Sequence, residues 1–174
     1  MTAIYVAIPP NRRGVDPLNY IEKRAMTYPS SMAHAEVAVG NDYYWQAYRL
    51  MYITSHDMGQ QVMWGNPELI MPDTLGVTDS ESRHTIVEGT LGWTARYEVL
   101  SHEAGHLLCP PGLEVHADRE VCAEAVSAVM MWDDGDLAGV GRSIAYLAWF
   151  KPSLHILRDD RTEILRAARI LEGK

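Results

Sequence analysis

The sequence predicts an α+β domain that is mostly helical, with a small sheet packed on a pair of helices. Two short apolar runs read as strands, and both lie in the first half of the chain. The second half reads as four successive helices separated by breaks that contain proline or glycine. The chain has 174 residues and no internal repeat, which suits one domain with a real core. We therefore expect a single domain that spans residues 1–174.

The first 66 residues are predicted to form a strand followed by two helices. IYVAI, at residues 4–8, reads as a strand because it is rich in β-branched and aromatic residues. A helix begins near Pro17, where Asp16 can cap the first turn. A longer helix is predicted from about Asp42 to Trp64, since tyrosines recur there every four residues and so share one face. We expect this helix to pack against the catalytic unit rather than to stack on nucleic-acid bases or line a substrate groove; its aromatic residues are Tyr44, Tyr48 and Tyr52, with Trp45.

Residues 67–172 are predicted to form the catalytic core. ELIMP, at residues 68–72, reads as a strand, and DTLGVTDSES, at residues 73–82, reads as a loop. Helices follow, with breaks at CPPGL and DDGD. The predicted helices run from about Glu88 to Leu108, Glu114 to Trp132, Leu137 to Phe150 and Asp160 to Leu171.

The acidic composition limits the classes of partner. The net charge is -8 at pH 7, which disfavours nonspecific binding to nucleic acid or to an anionic membrane because both would be repelled. The amino-terminal segment lacks a secretory pattern, and the longest late apolar run, IAYLAWF, is too short to span a bilayer. Two cysteines, Cys109 and Cys122, do not make a disulfide framework, and we expect both to be buried and unreactive. These observations favour a soluble protein of the reducing cytoplasm.

The segment SHEAGH, at residues 101–106, contains the pattern His-Glu-x-x-His on the first of these later helices. His102 and His106 are four residues apart, so both imidazoles lie on one helix face and can chelate a single zinc ion. Glu103 is adjacent to the first ligand and can reach a metal-bound water without binding the metal. The pattern therefore predicts two ligands and the general base of a hydrolytic zinc site. Two histidines and a carboxylate also suit manganese, cobalt or nickel.

A catalytic zinc needs a third protein ligand and an open fourth position. The metzincin pattern is excluded, because it places a histidine six residues after His106, where Gly112 stands. The proline-rich break lets the next helix fold back antiparallel to the first, which makes Glu120 the best candidate for the third ligand. Glu124 and His116 remain alternatives for that role. Glu124 shares a helix face with Glu120 and could instead accept a hydrogen bond from a ligating histidine.

These segments resemble the zincin-like metallopeptidase domain of ArdC-type antirestriction proteins of plasmids and phages. The resemblance covers about residues 67–172, and the stretches that carry it are ELIMP, YEVLSHEAGH, HADREVCAEAVSAVMM and YLAWFKPSLHILRDDRTEILRAARILEG. It implies a zincin-like fold with one zinc per chain, bound by His102, His106 and Glu120. It also implies Glu103 as the general base and Glu124 as the carboxylate that supports a ligand. A looser resemblance to the ImmA/IrrE metallopeptidases, which cleave transcriptional repressors, lies in HExxH followed by ExxA.

Two functional hypotheses follow from the motif and the resemblance. The first is a zinc metalloendopeptidase, phage- or plasmid-related, that hydrolyses peptide bonds of a protein or peptide substrate through metal-activated water. Tyr97, Tyr146 and His84 are its candidate donors to the oxyanion. The alternative is a catalytically silent binding module of the same fold that inhibits a host protein without turnover.

Overall fold

The computed structural model describes residues 14–29, 38 and 40–174, and these form an α+β structure made mostly of helices. The strand predicted at residues 4–8 lies outside the described residues. The helices are α1 (Pro17–Thr27), α2 (Tyr44–Tyr52), α3 (Trp93–Leu108), α4 (His116–Asp134), α5 (Leu137–Leu147), α6 (Ile156–Asp159) and α7 (Arg161–Leu171). The strands are β1 (Gln61–Gly65), β2 (Gly76–Asp79) and β3 (His84–Glu88).

The first two helices follow the local signals of the sequence, but α2 is shorter than predicted. Asp16 caps α1 by accepting hydrogen bonds from the backbone N–H groups of Leu18, at 3.1 Å, and Asn19, at 3.4 Å. The long helix expected to reach Trp64 is wrong, because the chain leaves α2 through a π-helical turn and then reverses at Gly59. The φ of Gly59 is 69°, a left-handed conformation that glycine adopts readily, and β1 follows it.

The described sheet has the strand order β1-β3-β2, with β1 parallel and β2 antiparallel to β3. The loop predicted over residues 73–82 is wrong, because Gly76–Asp79 pairs with β3 along its length. The predicted strand ELIMP is also wrong. Pro67–Leu69 is a 3-10 turn capped by Asn66, and the side chain of Leu69 is 84% exposed instead of entering a sheet. A short apolar run therefore predicted a strand where the chain forms an exposed turn.

The pairing of β1 with β3 joins the two predicted sections of the chain, residues 1–66 and residues 67–172. β1 precedes residue 67 and pairs with β3, which follows it, so one sheet draws on both sections. The helix predicted to begin at Glu88 begins instead at Trp93, because Glu88 is the last residue of β3. Thr85 and Val87 of β3 are fully buried, as expected for a central strand covered by helices.

Helix α4 is the centre of the helical layer and packs against α3, α5 and α7. It is buried over most of its length, and Gly135 ends it with a φ of 84°. Asp136 then caps α5 by accepting a hydrogen bond from Gly139 N–H at 2.9 Å. The turn predicted at DDGD is thus present, although its first two residues belong to α4. None of the described helices is both long and apolar enough to cross a membrane.

The connection between α3 and α4 contains a disulfide bond. Cys109 and Cys122 are joined, with their Cα atoms 6.1 Å apart. The expectation of two separate, unreactive cysteines is wrong, because the proline-rich break folds α4 back along α3 and brings the two side chains together. The bond closes a loop between positions 13 apart in the sequence.

Candidate metal centre

Three side chains from α3 and α4 converge on one point. The Nε2 atoms of His102 and His106 are 3.0 Å apart. The two oxygens of Glu120 lie 3.5 Å from His102 Nε2 and 3.4 Å from His106 Nε2. Zinc held by nitrogen and oxygen at about 2.0–2.2 Å in a tetrahedron keeps its ligand atoms about 3.3–3.6 Å apart. Two of the three separations lie in this range and the third is shorter, and the three side chains form a group that could hold a metal ion.

The antiparallel approach of α3 and α4 brings these ligands together. Ser101 and Ser127 share a hydrogen bond of 2.6 Å across the two helices, and both side chains are buried. Nearer the end of α3, a Cβ atom built on Gly105 would lie only 2.8 Å from Ala123 O, so only glycine permits this backbone contact. Small residues on both helices thus allow the close approach that sets Glu120 beside the two histidines.

Glu124 contacts the outer nitrogen of a candidate ligand. Its Oε2 lies 2.7 Å from His102 Nδ1, which we assign as the donor of this hydrogen bond. When the imidazole is neutral, this assignment leaves Nε2 of His102 without a proton and directed at the centre. The interaction matches the second role that the sequence suggested for Glu124, while Glu120 takes the place among the converging atoms.

The charges of the group suit a metal site. Burial and, after it, the nearby His102 lower the pKa of His106 to about 4, although Glu120 opposes the shift. Burial acts to raise the pKa of Glu120, but hydrogen bonds from His102 and Tyr146 outweigh it and lower that pKa to about 2. Burial also opposes the charge on His102, yet its hydrogen bonds to Glu120 and Glu124 raise its pKa well above the usual value. A metal ion that binds here must displace a proton from His102, so its affinity falls at low pH.

Glu103 lies beside the ligand group without belonging to it. Its side chain is buried, and its burial raises the pKa of the carboxyl group although His102 and a hydrogen bond with Thr78 oppose the shift. β2 covers this carboxylate closely, since a Cβ atom on Gly76 would lie 2.8 Å from Glu103 Oε1. Sequence reasoning missed Thr78 and Gly76 because turn-forming residues flank GVTD, although the β-branched pair within it is a strand signal.

Of the three candidate oxyanion donors, the structure brings Tyr146 to the centre. Its hydroxyl group donates to Glu120 Oε2 at 2.7 Å. Tyr97 is buried in the core, and its hydroxyl group donates to Asp134 at the end of α4. His84 begins β3. Neither Tyr97 nor His84 lines the cavity of the centre.

His116, the remaining alternative ligand, lies at the solvent side of the group. Its Nδ1 is 3.7 Å from Glu120 Oε1, and its side chain is 76% exposed. It is not one of the three residues whose ligand atoms converge. The structure therefore favours Glu120 over His116 as the third candidate ligand.

The centre lies in a cavity of about 670 Å³. Residues 76–78 of β2 line this cavity together with the ligand-bearing helices. Beyond the ligands, Arg142 Nε donates to Glu98 Oε2 at 3.0 Å, and both residues line the same cavity. Burial raises the pKa of Glu98 to about 7, although the Arg142 guanidinium group lowers it.

Comparison of the chain with models of protein families, with curated proteins and with solved structures finds no significant match in any of the three.

Proposed function

We propose that this protein is a zinc metallopeptidase that hydrolyses peptide bonds of a protein or peptide substrate, with one zinc per chain. The observation that carries the proposal is the buried carboxylate of Glu103, which lies beside three converging ligands and outside their group. A structural zinc site is closed by four protein ligands and has no use for such a carboxylate. Three ligands with a neighbouring base are the arrangement of a hydrolytic centre.

Each residue of the centre has a distinct role in this reaction. The chemistry that bound zinc supplies is a lowered pKa of water and polarisation of the substrate carbonyl group. Glu103 accepts the proton of the attacking water and returns it to the leaving nitrogen, and its raised pKa suits both transfers. Glu124 holds His102 in the tautomer that presents Nε2. The hydroxyl group of Tyr146, which donates to Glu120 Oε2 in the free protein, turns to donate to the carbonyl oxygen as negative charge develops there.

The cavity has a wall that suits an extended peptide. Among the described residues, β2 pairs with no strand other than β3, although Gly76 O accepts a hydrogen bond from the Thr74 hydroxyl group. Residues 76–78 of that strand line the cavity that also contains Glu103. A substrate in extended conformation can add to the edge of such a strand through backbone hydrogen bonds. The resemblance to ArdC-type domains suggests a phage or plasmid setting for this substrate.

The test is the variant Glu103→Gln, with Glu114→Gln as a matched control on an exposed glutamate. Zinc content is measured by elemental analysis, and cleavage of a peptide library is followed by mass spectrometry. We expect all three proteins to bind one zinc, and cleavage by Glu103→Gln to fall about a thousandfold, the usual contribution of a general base. Cleavage at the wild-type rate by Glu103→Gln would contradict the mechanism. If the zinc-loaded wild type cleaves nothing, the binding-module alternative is favoured.

A further inference from the structure

The disulfide bond joins the two helices that carry the candidate ligands. Cys109 directly follows α3, three residues after His106, and its N–H donates to Gly105 O at 3.0 Å. Cys122 lies in α4, two residues after Glu120. Both helices are thus linked covalently within about one helical turn of a candidate ligand.

The link holds α4 from the side opposite the cavity. Two residues along an α-helix correspond to a rotation of about 200°, so Glu120 and Cys122 lie on nearly opposite faces. Glu120 lines the cavity, whereas Cys122 is 1% exposed and belongs to the hydrophobic core. The disulfide therefore restricts both the rotation of α4 about its axis and its sliding along that axis near Glu120.

The two histidines differ in how they are held. His102 has a partner outside the ligand group, since its Nδ1 is hydrogen-bonded to Glu124 at 2.7 Å. Among the described residues, the polar contacts of His106 are with His102 and Glu120 only. The position of His106 thus depends on the last turn of α3, and that turn ends at the disulfide-bonded Cys109.

We propose that the Cys109–Cys122 disulfide is a thiol-exchange site that sets the metal affinity of the centre. The oxidised protein binds metal tightly, and the reduced protein binds it weakly. This inference rests on the proposed function in that it requires a metal at the three converging ligands. With the link open, a bound metal must itself order the end of α3, so the affinity falls by about tenfold or more.

The exchange is a two-step reduction by a dithiol. A thiolate of the reductant attacks the sulfur of Cys109, which is partly exposed, and displaces the sulfur of Cys122 as a thiolate that takes a proton. The second thiol of the reductant then attacks the mixed disulfide and releases Cys109 as a thiol. The reductant becomes a cyclic disulfide, and two electrons and two protons pass to the protein.

The experiment measures zinc affinity by competition with a chromophoric chelator. The full-length protein is assayed oxidised, then after reduction and removal of the reductant, and again after reoxidation, with thiols counted at each stage. The double variant Cys109→Ala/Cys122→Ala has no thiols that could themselves bind zinc, so it reports on the link alone. We expect about tenfold weaker binding in the reduced protein and in the variant, recovery on reoxidation, and no effect of reductant on the variant.

Several outcomes would overturn the inference. Equal zinc affinities in the oxidised and reduced protein overturn it and leave the proposed function intact. A loss of the helical circular dichroism signal on reduction overturns it as well, because the bond would then maintain the whole fold rather than the centre. If the oxidised wild type binds no zinc, the proposed function fails, and this inference fails with it.

Discussion

Gly105 lies between the two histidines of α3 and contacts the backbone of α4. A Cβ atom at this position would lie 2.8 Å from Ala123 O and 3.0 Å from Ala123 Cα. Both are backbone atoms, so no side-chain rotation relieves the contact and the helices must separate. Overpacking of this kind costs about 1–3 kcal/mol. Alanine recovers about 1 kcal/mol through its better helix propensity, so we expect Gly105→Ala to lower the free energy of unfolding by up to about 2 kcal/mol.

The same substitution should weaken metal binding. Glu120 Oε1 lies 3.4 Å from His106 Nε2 only because the two helices are in backbone contact beside this pair. When the helices separate, Glu120 moves away from both histidines, and a metal ion must draw the helices together again. We expect a reduction in zinc affinity of about tenfold, comparable to other losses of ligand support.

Gly141 of α5 offers a matched control. A Cβ atom there would meet nothing within 4 Å, so Gly141→Ala should raise the free energy of unfolding by up to about 1 kcal/mol and leave zinc affinity unchanged. Urea unfolding, monitored by circular dichroism, gives the free energy of unfolding of both variants. Competition with a chelator gives their zinc affinity. Equal stability of Gly105→Ala and Gly141→Ala, or wild-type zinc affinity in both variants, would refute this role of the backbone contact.

Two further predictions concern carboxylates of the cavity. Glu124→Gln should weaken zinc binding by about 10–100-fold in chelator competition, because the charged partner of His102 Nδ1 is lost; an unchanged affinity would argue against this support. Burial raises the pKa of Glu98 to about 7 from the ordinary 4.5, so its contribution to stability is full below about pH 4.5 and is lost as the pH rises through about 7. The urea midpoint of Glu98→Gln should therefore fall less than that of the wild type between pH 5 and 8, and parallel pH profiles would contradict the assignment.

The features that were predicted correctly depend on residues within one or two helical turns. The cap of α1 by Asp16 is an interaction between near neighbours in the sequence. His102 and His106 share a helix face because their spacing matches the helical period. The pairing of α3 with α4 required one further step, the proline-rich break between them.

The sheet was predicted poorly because strand pairing joins residues that are distant in the sequence. Gln61 of β1 pairs with His84, and neither residue carries a local signal of its partner. ELIMP has the composition of a strand yet forms an exposed turn, while GVTD has turn residues around it yet forms an edge strand. In both segments, tertiary contacts outweighed the local preference.

The donor groups of the centre can be read from the sequence alone: two imidazoles and an adjacent carboxylate lie on one helix, with a glutamate on the next helix. Folding selects the glutamate that approaches the histidines and the tyrosine that faces them, and it joins Cys109 to Cys122. This division arises because a helical face is set by a rotation of 100° per residue, which the sequence reveals. The distance between two faces is set by the packing of the whole core, which no single segment contains.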